Sequence, residues 1–125
     1  MARILVIDDD PDTRAMLEQT LKCAGYEVIL AADGREGVER HSTSPADLVI
    51  TDIYMPKLDG LETIREFRRR FPEVSIIAMS GRTTAVTMLS IAQKLGAVAV
   101  LHKPFLTDEL INAVARALGG KSPAQ

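Results

Sequence analysis

Five polar side chains lie just past the ends of four apolar runs of the chain, and their types suit the binding of a divalent cation and a phosphoryl group. They are Asp8 and Asp9 after residues 4–7, Asp52 after 48–51, Ser80 after 74–79 and Lys103 after 98–101. Mg²⁺ prefers oxygen ligands such as carboxylates, and a lysine ammonium is a common partner of phosphate oxygens. A carboxylate can also act as a nucleophile toward phosphorus and form an acyl phosphate.

The elements that must position these side chains follow a regular repeat. Apolar runs centred near residues 5, 28, 50, 77 and 100 recur at intervals of 22 to 27 residues, which suits one strand and one helix per unit. The predicted strands span 3–7, 27–30, 47–51, 74–79 and 98–101; the predicted helices span 11–24, 34–41, 61–71 and 83–95, and a fifth begins after Phe105. This alternation predicts an α/β fold, a (βα)₅ three-layer sandwich with helices on both faces of a parallel sheet. Because the carboxyl ends of parallel strands share one edge, the five side chains should meet there.

Each acidic residue also has an ordinary explanation when it is taken alone. Asp8 and Asp9 suit an acidic turn before a helix, and Asp52 suits a strand exit. However, Asp10 already serves as the cap of the first predicted helix, because Pro11 follows it at the first helical position. Adjacent carboxylates repel each other unless a cation offsets their charge. The acids at one sheet edge therefore predict a metal site.

The two remaining polar residues are weak signals by themselves. Ser80 before Gly81 suits a strand-to-helix turn, and Lys103 suits a solvent-facing helix start. Pro104 permits a cis peptide bond after Lys103, which would aim the lysine inward. The presence of all these side chains at the ends of four strands, rather than any one of them, indicates a functional site.

Composition excludes several other classes of protein. The 125 residues suit a single domain, residues 1–120, followed by a polar tail or linker start at 121–125. The net charge is −2 and no basic patch stands out, so direct nucleic-acid binding is not expected. No apolar stretch reaches the roughly 20 residues of a membrane span, and no secretory signal opens the chain. These observations favour a cytoplasmic protein without membrane contact.

A few conspicuous residues have plain structural interpretations. Cys23 is the single cysteine and is expected to be a small packed residue of the first helix. His41 is expected on the surface at a helix end, and His102 is expected to point away from the site. The run Arg68–Arg70 is expected to be a solvated helix end, where positive charge suits the helix dipole.

Four motifs together resemble the response-regulator receiver domain of two-component signalling. They are Ile4-Leu5-Val6-Ile7-Asp8-Asp9-Asp10-Pro11, Asp52-Ile53-Tyr54-Met55-Pro56-Lys57-Leu58-Asp59-Gly60, Met79-Ser80-Gly81 and Lys103-Pro104-Phe105. The resemblance covers residues 2–119. It implies a flavodoxin-like doubly wound fold with the sheet order 2-1-3-4-5.

The resemblance also implies a role for each site residue. Asp52 would be the phosphoacceptor, supplied by a histidine kinase, a phosphotransfer protein or a small phosphodonor. Asp9 would bind the metal directly, Asp8 would bind it through water, and the Tyr54 backbone carbonyl would be a further ligand. Lys103 would bind the phosphoryl group, and the Ser80 hydroxyl would act as the switch. The metal would be Mg²⁺ or Mn²⁺. No turnover of an external substrate is expected.

The same resemblance implies an output surface and shows where this chain departs from the family. The surface would comprise the fourth helix, the fifth strand and the fifth helix, and would act on a partner or an attached output domain, as a monomer or as a phosphorylation-dependent dimer. Family members often carry an aromatic residue where this chain has Val100, and acids where it has Val98 and Ala99. A hydrophobic partner or self-association surface is expected instead. Tyr54 and Arg82 are bulky residues near the acyl phosphate, so slow autodephosphorylation is expected.

Three alternatives fit the residues less well. A flavin binder on this fold would need a phosphate-binding loop after the first strand, where Asp8–Asp10 would repel the phosphate. An aspartate-nucleophile hydrolase would carry a second acid two residues after Asp52, where this chain has Tyr54. A degenerate receiver, acting as a phosphorylation-independent protein-binding module, is the remaining alternative, and the intact Asp9, Asp52 and Lys103 argue against it.

Overall fold

A five-stranded parallel sheet forms the centre of the computed structural model, which describes residues 1–53, 60–80, 90 and 93–119. Its strands are β1 (Arg3–Ile7), β2 (Glu27–Ala31), β3 (Leu48–Asp52), β4 (Ser75–Ser80) and β5 (Ala99–His102). They lie in the order β2-β1-β3-β4-β5, and every neighbouring pair is parallel. This confirms the flavodoxin-like order 2-1-3-4-5 that the resemblance implied.

Helices cover both faces of this sheet. The described helices are α1 (Pro11–Cys23), α2 (Gly34–Thr43), α3 (Gly60–Arg70) and a C-terminal helix (Thr107–Ala117). The helix predicted over 83–95 falls largely on residues outside those described, as does the tail at 121–125. Within the described part of the chain, no helix has the length and apolar character needed to cross a membrane.

Alternate residues of the strands point to two separate cores, which is why the strands are apolar on both faces. One core joins Leu5 and Val49 to α2 and α3, and includes Ile64 and Phe67. The other joins the intervening strand residues to α1 and the C-terminal helix; its members include Ile4, Val6, Ile50, Leu17, Leu21, Leu110 and Val114. The three-layer sandwich is therefore built by strand alternation, and it leaves the carboxyl edge of the sheet for polar side chains.

Strand ends differ from the predicted ones by at most one residue, and this difference places two site residues. β3 includes Asp52 and β4 includes Ser80, because each strand continues its ladder one residue beyond the apolar run. Asp52 lies opposite Met79, and Ser80 lies opposite His102. The backbones of both site residues are thus held by the sheet.

Two sequence-based interpretations of single residues were wrong. His41 is buried, because its Nδ1 accepts a hydrogen bond from the Ala46 backbone N–H at 3.0 Å and its ring packs edge-on against Phe67 and Phe71. Desolvation by this packing lowers the pKa of His41 below its usual value. Cys23 is exposed rather than packed, because the buried face of α1 is formed by Leu17 and Leu21.

The basic run at the end of α3 is only partly solvated, which also corrects the prediction. Arg69 and Arg70 are exposed, but Arg68 is half-buried. Its guanidinium Nη1 donates to the Pro72 carbonyl at 2.8 Å, and its Nε packs under the turn at Gly96. Arg68 therefore closes the C-terminal end of α3 through a main-chain contact that the sequence pattern does not reveal.

Candidate functional site

The predicted site residues come together at the carboxyl edge of the sheet. Asp8 follows β1, Asp52 ends β3, Ser80 ends β4 and Lys103 follows β5. Backbone pairing continues past the strands, since the Lys103 N–H donates to the Ser80 carbonyl at 2.8 Å. The positions of these residues are therefore set by the sheet, as expected from parallel strands that end at a common edge.

Lys103 bridges two carboxylates that are far apart in sequence. Its Nζ donates to Asp8 Oδ2 at 2.8 Å and to Asp52 Oδ2 at 2.7 Å. The side chains of Asp8, Asp52 and Lys103 are 1%, 11% and 23% exposed. The peptide bond between Lys103 and Pro104 is cis, as the sequence had suggested, and the lysine points into the site. The bridge is largely shielded from water, which strengthens charge interactions within it.

Two opposing effects set the charge of this lysine. Desolvation lowers the pKa of Lys103, but hydrogen bonds and the negative charges of Asp52 and Asp8 together outweigh it, so the pKa is raised above its usual value. Lys103 is thus an ammonium ion at neutral pH. It offsets part of the negative charge that the acids bring to this edge.

Asp8 is held at each of its polar atoms. Its backbone N–H donates to the Ala31 carbonyl at 3.1 Å, and its Oδ1 accepts from the Asp10 N–H at 2.9 Å. Its Oδ2 accepts from Lys103, and its carbonyl accepts from Arg14 Nη1 at 2.7 Å. Asp8 is therefore a fixed carboxylate with little freedom to rotate.

Arg14 is a site residue that sequence reasoning missed. It is half-buried in the first turns of α1 and contacts the Asp8 carbonyl. A signal was present, because a cation near the positive N-terminal end of a helix is unfavourable unless another contact holds it there.

Asp10 caps α1, as predicted, and is separate from the acidic group. Its side chain accepts from Thr13 Oγ1 at 2.7 Å and from the Asp12 N–H at 3.2 Å. The hydrogen bond from Thr13, followed by that from Asp12, lowers the pKa of Asp10. The carboxylate of Asp10 is thus committed to the helix N-terminus.

Asp8, Asp9 and Asp52 form a group that fits a small divalent cation. One carboxylate oxygen from each lies within 4.8 Å of the others, and Asp9 is exposed to solvent. Octahedral Mg²⁺ with bonds of about 2.0–2.1 Å holds neighbouring oxygens about 3 Å apart and opposite ones about 4 Å apart. Modest side-chain movement therefore suffices, and the all-oxygen donor set suits Mg²⁺ or Mn²⁺. Tyr54 and Arg82 lie outside the described residues.

The residues predicted to act in switching have different surroundings. Ser80 is 1% exposed at the end of β4. Val100 is half-buried in β5 and packs against the core on the α2–α3 face of the sheet. His102 is exposed at the end of β5, and Val98, just before this strand, is 57% exposed.

An apolar surface beside Lys103 was not anticipated from the sequence. A pocket next to the site is lined by Lys103 and by Thr13, Met16, Pro104 and Phe105. Met16 and the nearby Leu106 are 47% and 70% exposed. Lys103 is therefore bordered on one side by apolar side chains of α1 and of the segment after β5.

Comparisons with known proteins agree with this geometry. The sequence matches the response regulator receiver domain family over residues 4–115. It is 38% identical over 109 residues to response regulator MprA of Mycolicibacterium vanbaalenii, covering 87% of this chain and 47% of that protein. It is 37% identical over 122 residues to the DNA-binding transcriptional regulator NtrC of Azospirillum brasilense, covering 98% of this chain and 25% of that protein. The chain thus spans half or less of the length of these relatives.

A solved structure extends the likeness to the fold. The receiver domain protein of a response regulator from Clostridium thermocellum superimposes with a TM-score of 0.90 at 31% identity, and the match covers all of both chains. The sheet order, the acidic edge and the sequence match over residues 4–115 all point to one family. The chain belongs to the response regulator receiver domain family.

Proposed function

We propose that this chain is a working phosphoacceptor, in which Asp52 takes a phosphoryl group from a histidine kinase or a phosphotransfer protein. The observation that carries the proposal is the Lys103 bridge between Asp8 and Asp52, beside the group formed with Asp9. A binding module with no use for phosphorylation has no need of three acids at one edge, because their mutual repulsion lowers stability.

The transfer is an in-line displacement at phosphorus. An oxygen of the Asp52 carboxylate forms a bond to phosphorus, and the phosphorus–nitrogen bond of the donor phosphohistidine breaks, with its electron pair leaving on the imidazole nitrogen. Such transfer depends mainly on positioning and on neutralisation of charge. Asp8, Asp9 and Asp52, with the Tyr54 carbonyl, would hold Mg²⁺ or Mn²⁺, which supplies charge neutralisation at the phosphoryl oxygens.

Lys103 supplies the second positive charge. Its ammonium already contacts Asp52 and stays protonated at neutral pH, so it is placed to bind a phosphoryl oxygen on that residue. The Ser80 hydroxyl, at the end of the neighbouring strand, would be a further hydrogen-bond donor to that group. Turnover of an external substrate is not part of the proposal, because the acyl phosphate is itself the signalling state.

The signal would leave through the predicted fourth helix, β5 and the C-terminal helix. A new charge at a site of this kind biases an equilibrium between two conformations. Val98 is exposed and Val100 is half-buried in this region, so its chemistry suits a hydrophobic partner or a second copy. One relative is named a DNA-binding regulator; here a partner or an output domain would contact DNA, and this domain itself would not.

Size-exclusion chromatography with light scattering, with and without phosphorylation, tests self-association through this surface. A monomer in both states, together with no captured partner, would contradict the proposed output surface.

The remaining expectations belong to the same proposal. Residues 1–120 would form the receiver domain, with 121–125 a tail or linker start, and the chain would act in the cytoplasm, where kinases have access to ATP. Shielding by Tyr54 and Arg82 would make loss of the phosphoryl group slow. A decay assay on the isolated phosphorylated protein measures this directly, and a half-life of seconds would refute it.

The decisive experiment is the intact mass of the protein after treatment with acetyl phosphate, with and without Mg²⁺. Wild type should gain one phosphoryl group only with Mg²⁺, and Asp52→Asn should gain none. Asp47→Asn is a matched control, because Asp47 precedes the same strand at its opposite end and accepts from the Arg3 N–H at 2.8 Å. Absence of the gain in wild type, both with acetyl phosphate and with a histidine kinase, would favour the phosphorylation-independent binding module.

A further inference from the structure

Arg14 contacts the acidic edge through the main chain rather than through a carboxylate. Its Nη1 donates to the Asp8 carbonyl at 2.7 Å, in a half-buried position within α1. A hydrogen bond from a charged donor is shorter and stronger than one between neutral groups. α1 itself is anchored by its Asp10 cap, so Arg14 connects a rigid helix to the turn that carries Asp8 and Asp9.

The atom that Arg14 contacts determines the direction of the next residue. The Asp8 carbonyl belongs to the planar peptide unit that joins Asp8 to Asp9, so fixing its oxygen fixes the plane of that unit. The Asp8 N–H and carboxylate are held as well, by Ala31, Asp10 and Lys103. The exposed Asp9 therefore follows a peptide unit whose orientation is fixed by these contacts, with Arg14 holding its carbonyl oxygen.

We propose that Arg14 is a positioning residue for the metal group of Asp8, Asp9 and Asp52, and that it acts by fixing the Asp8–Asp9 peptide. The inference rests on the proposed function, because it takes the three acids to be the metal site. Groups that orient metal ligands from outside the ligand set commonly change metal affinity by roughly 10–100-fold when they are removed.

The charge of Arg14 and its contact with the peptide should change metal affinity in opposite directions, so the proposal can be refuted by the direction of the change. A guanidinium near a cation site opposes cation binding, so loss of the charge alone would tighten binding of the metal. Loss of the peptide anchor would weaken it. The direction of the change in affinity for Arg14→Met therefore separates a positioning role from a purely electrostatic one, because methionine keeps an apolar stem but has neither the charge nor a donor.

Metal binding is measured directly, without phosphorylation. Mn²⁺ is titrated into the metal-free protein, the free ion is followed by electron paramagnetic resonance, and Mg²⁺ affinity is obtained by competition. The variants are Arg14→Met, Arg14→Lys and Arg68→Met. Arg68 is the matched control, because its Nη1 also donates to a main-chain carbonyl near a helix end, that of Pro72 at 2.8 Å.

The expected result is a roughly tenfold loss of Mn²⁺ and Mg²⁺ affinity for Arg14→Met. Arg14→Lys, which keeps a charged donor, should stay within about threefold of wild type, and Arg68→Met should not change the affinity although it lowers stability. Unchanged or tighter binding by Arg14→Met, or an equal loss for Arg68→Met, would overturn the proposal. If Arg14→Met does not fold, Arg14→Leu, which also lacks both the charge and a donor, carries the same expectation. Failure of the wild type to bind Mn²⁺ would instead refute the metal site itself.

Discussion

Removal of the Lys103 ammonium should destabilise the metal-free domain far more than removal of a surface lysine. The substitution Lys103→Met leaves Asp8 and Asp52 as neighbouring carboxylates that are almost shielded from water. Removing one partner of a buried ion pair costs about 3–5 kcal/mol. Since the Lys103 side chain is 23% exposed and water can partly replace it, we expect a loss of about 2–4 kcal/mol in the free energy of unfolding.

The matched control is Lys22→Met. Lys22 pairs with Glu18 at 3.1 Å on the surface of α1, and the two side chains are 57% and 34% exposed. An exposed pair of this kind contributes about 0.3–0.5 kcal/mol. Both variants remove one lysine and keep an apolar stem, so the difference between them isolates the effect of the buried bridge.

Urea unfolding near neutral pH in the presence of EDTA measures this difference, provided that the m-value stays constant. For a chain of 125 residues, each kcal/mol corresponds to about 4 °C in Tm, so heat unfolding should show a fall of roughly 8–16 °C for Lys103→Met. Added Mg²⁺ should recover part of the loss, because a cation then offsets the same carboxylates. A loss no larger than that of Lys22→Met, or no recovery with Mg²⁺, would refute the inferred charge balance of the site.

Three further outcomes are expected. The pKa of His41 is lowered in the folded protein, so the unfolded state binds more protons and stability should fall as pH drops below 6.5. The urea midpoint of His41→Gln should therefore depend less steeply on pH than that of wild type, and an unchanged pH dependence would contradict the assignment. Gly96→Ala should lower the free energy of unfolding by about 1–3 kcal/mol, because φ is +114° and the new Cβ would lie 2.6 Å from Arg68 Nε. Gly119→Ala, at φ +80° with open space around the new Cβ, should lower it less, and equal melting temperatures of the two variants would contradict this. Mg²⁺ should raise the Tm of wild type but not of Asp9→Asn, and an equal rise in both would place the cation elsewhere.

The fold was predictable because each strand contains an uninterrupted apolar run. A run such as Ile4–Ile7 has no polar face, so it must be covered on both sides, and five such runs with helices between them leave few arrangements. The polar residues at the strand ends then had to share an edge. The observed contacts of Lys103 with Asp8 and Asp52 confirm that placement.

The misjudged residues depend on contacts that local patterns do not contain. His41 was expected to be exposed because it lies near the end of α2, yet it shares the buried face of that helix with Val38 and is covered by Phe67 and Phe71, more than 20 positions away in the chain. Arg14 and Arg68 donate to main-chain carbonyls, which every residue has, so residue types do not identify the partners of these two arginines. Side-chain pairing could be anticipated from residue types, whereas pairing with the backbone could not.

Lys103 also limits how the site can respond to a new charge. Its ammonium lies at nearly equal distances from Asp8 and Asp52, so the metal-free site divides one cation between two carboxylates. A phosphoryl group on Asp52 would carry more negative charge than the carboxylate it replaces and would draw the ammonium away from Asp8. Asp8 would then lose one of its two positively charged contacts while Arg14 still holds its carbonyl. The carboxylate of Asp8 could then reorient toward the metal without movement of the Asp8 backbone. The charge at Asp52 could thus change while the turn after β1 keeps its shape.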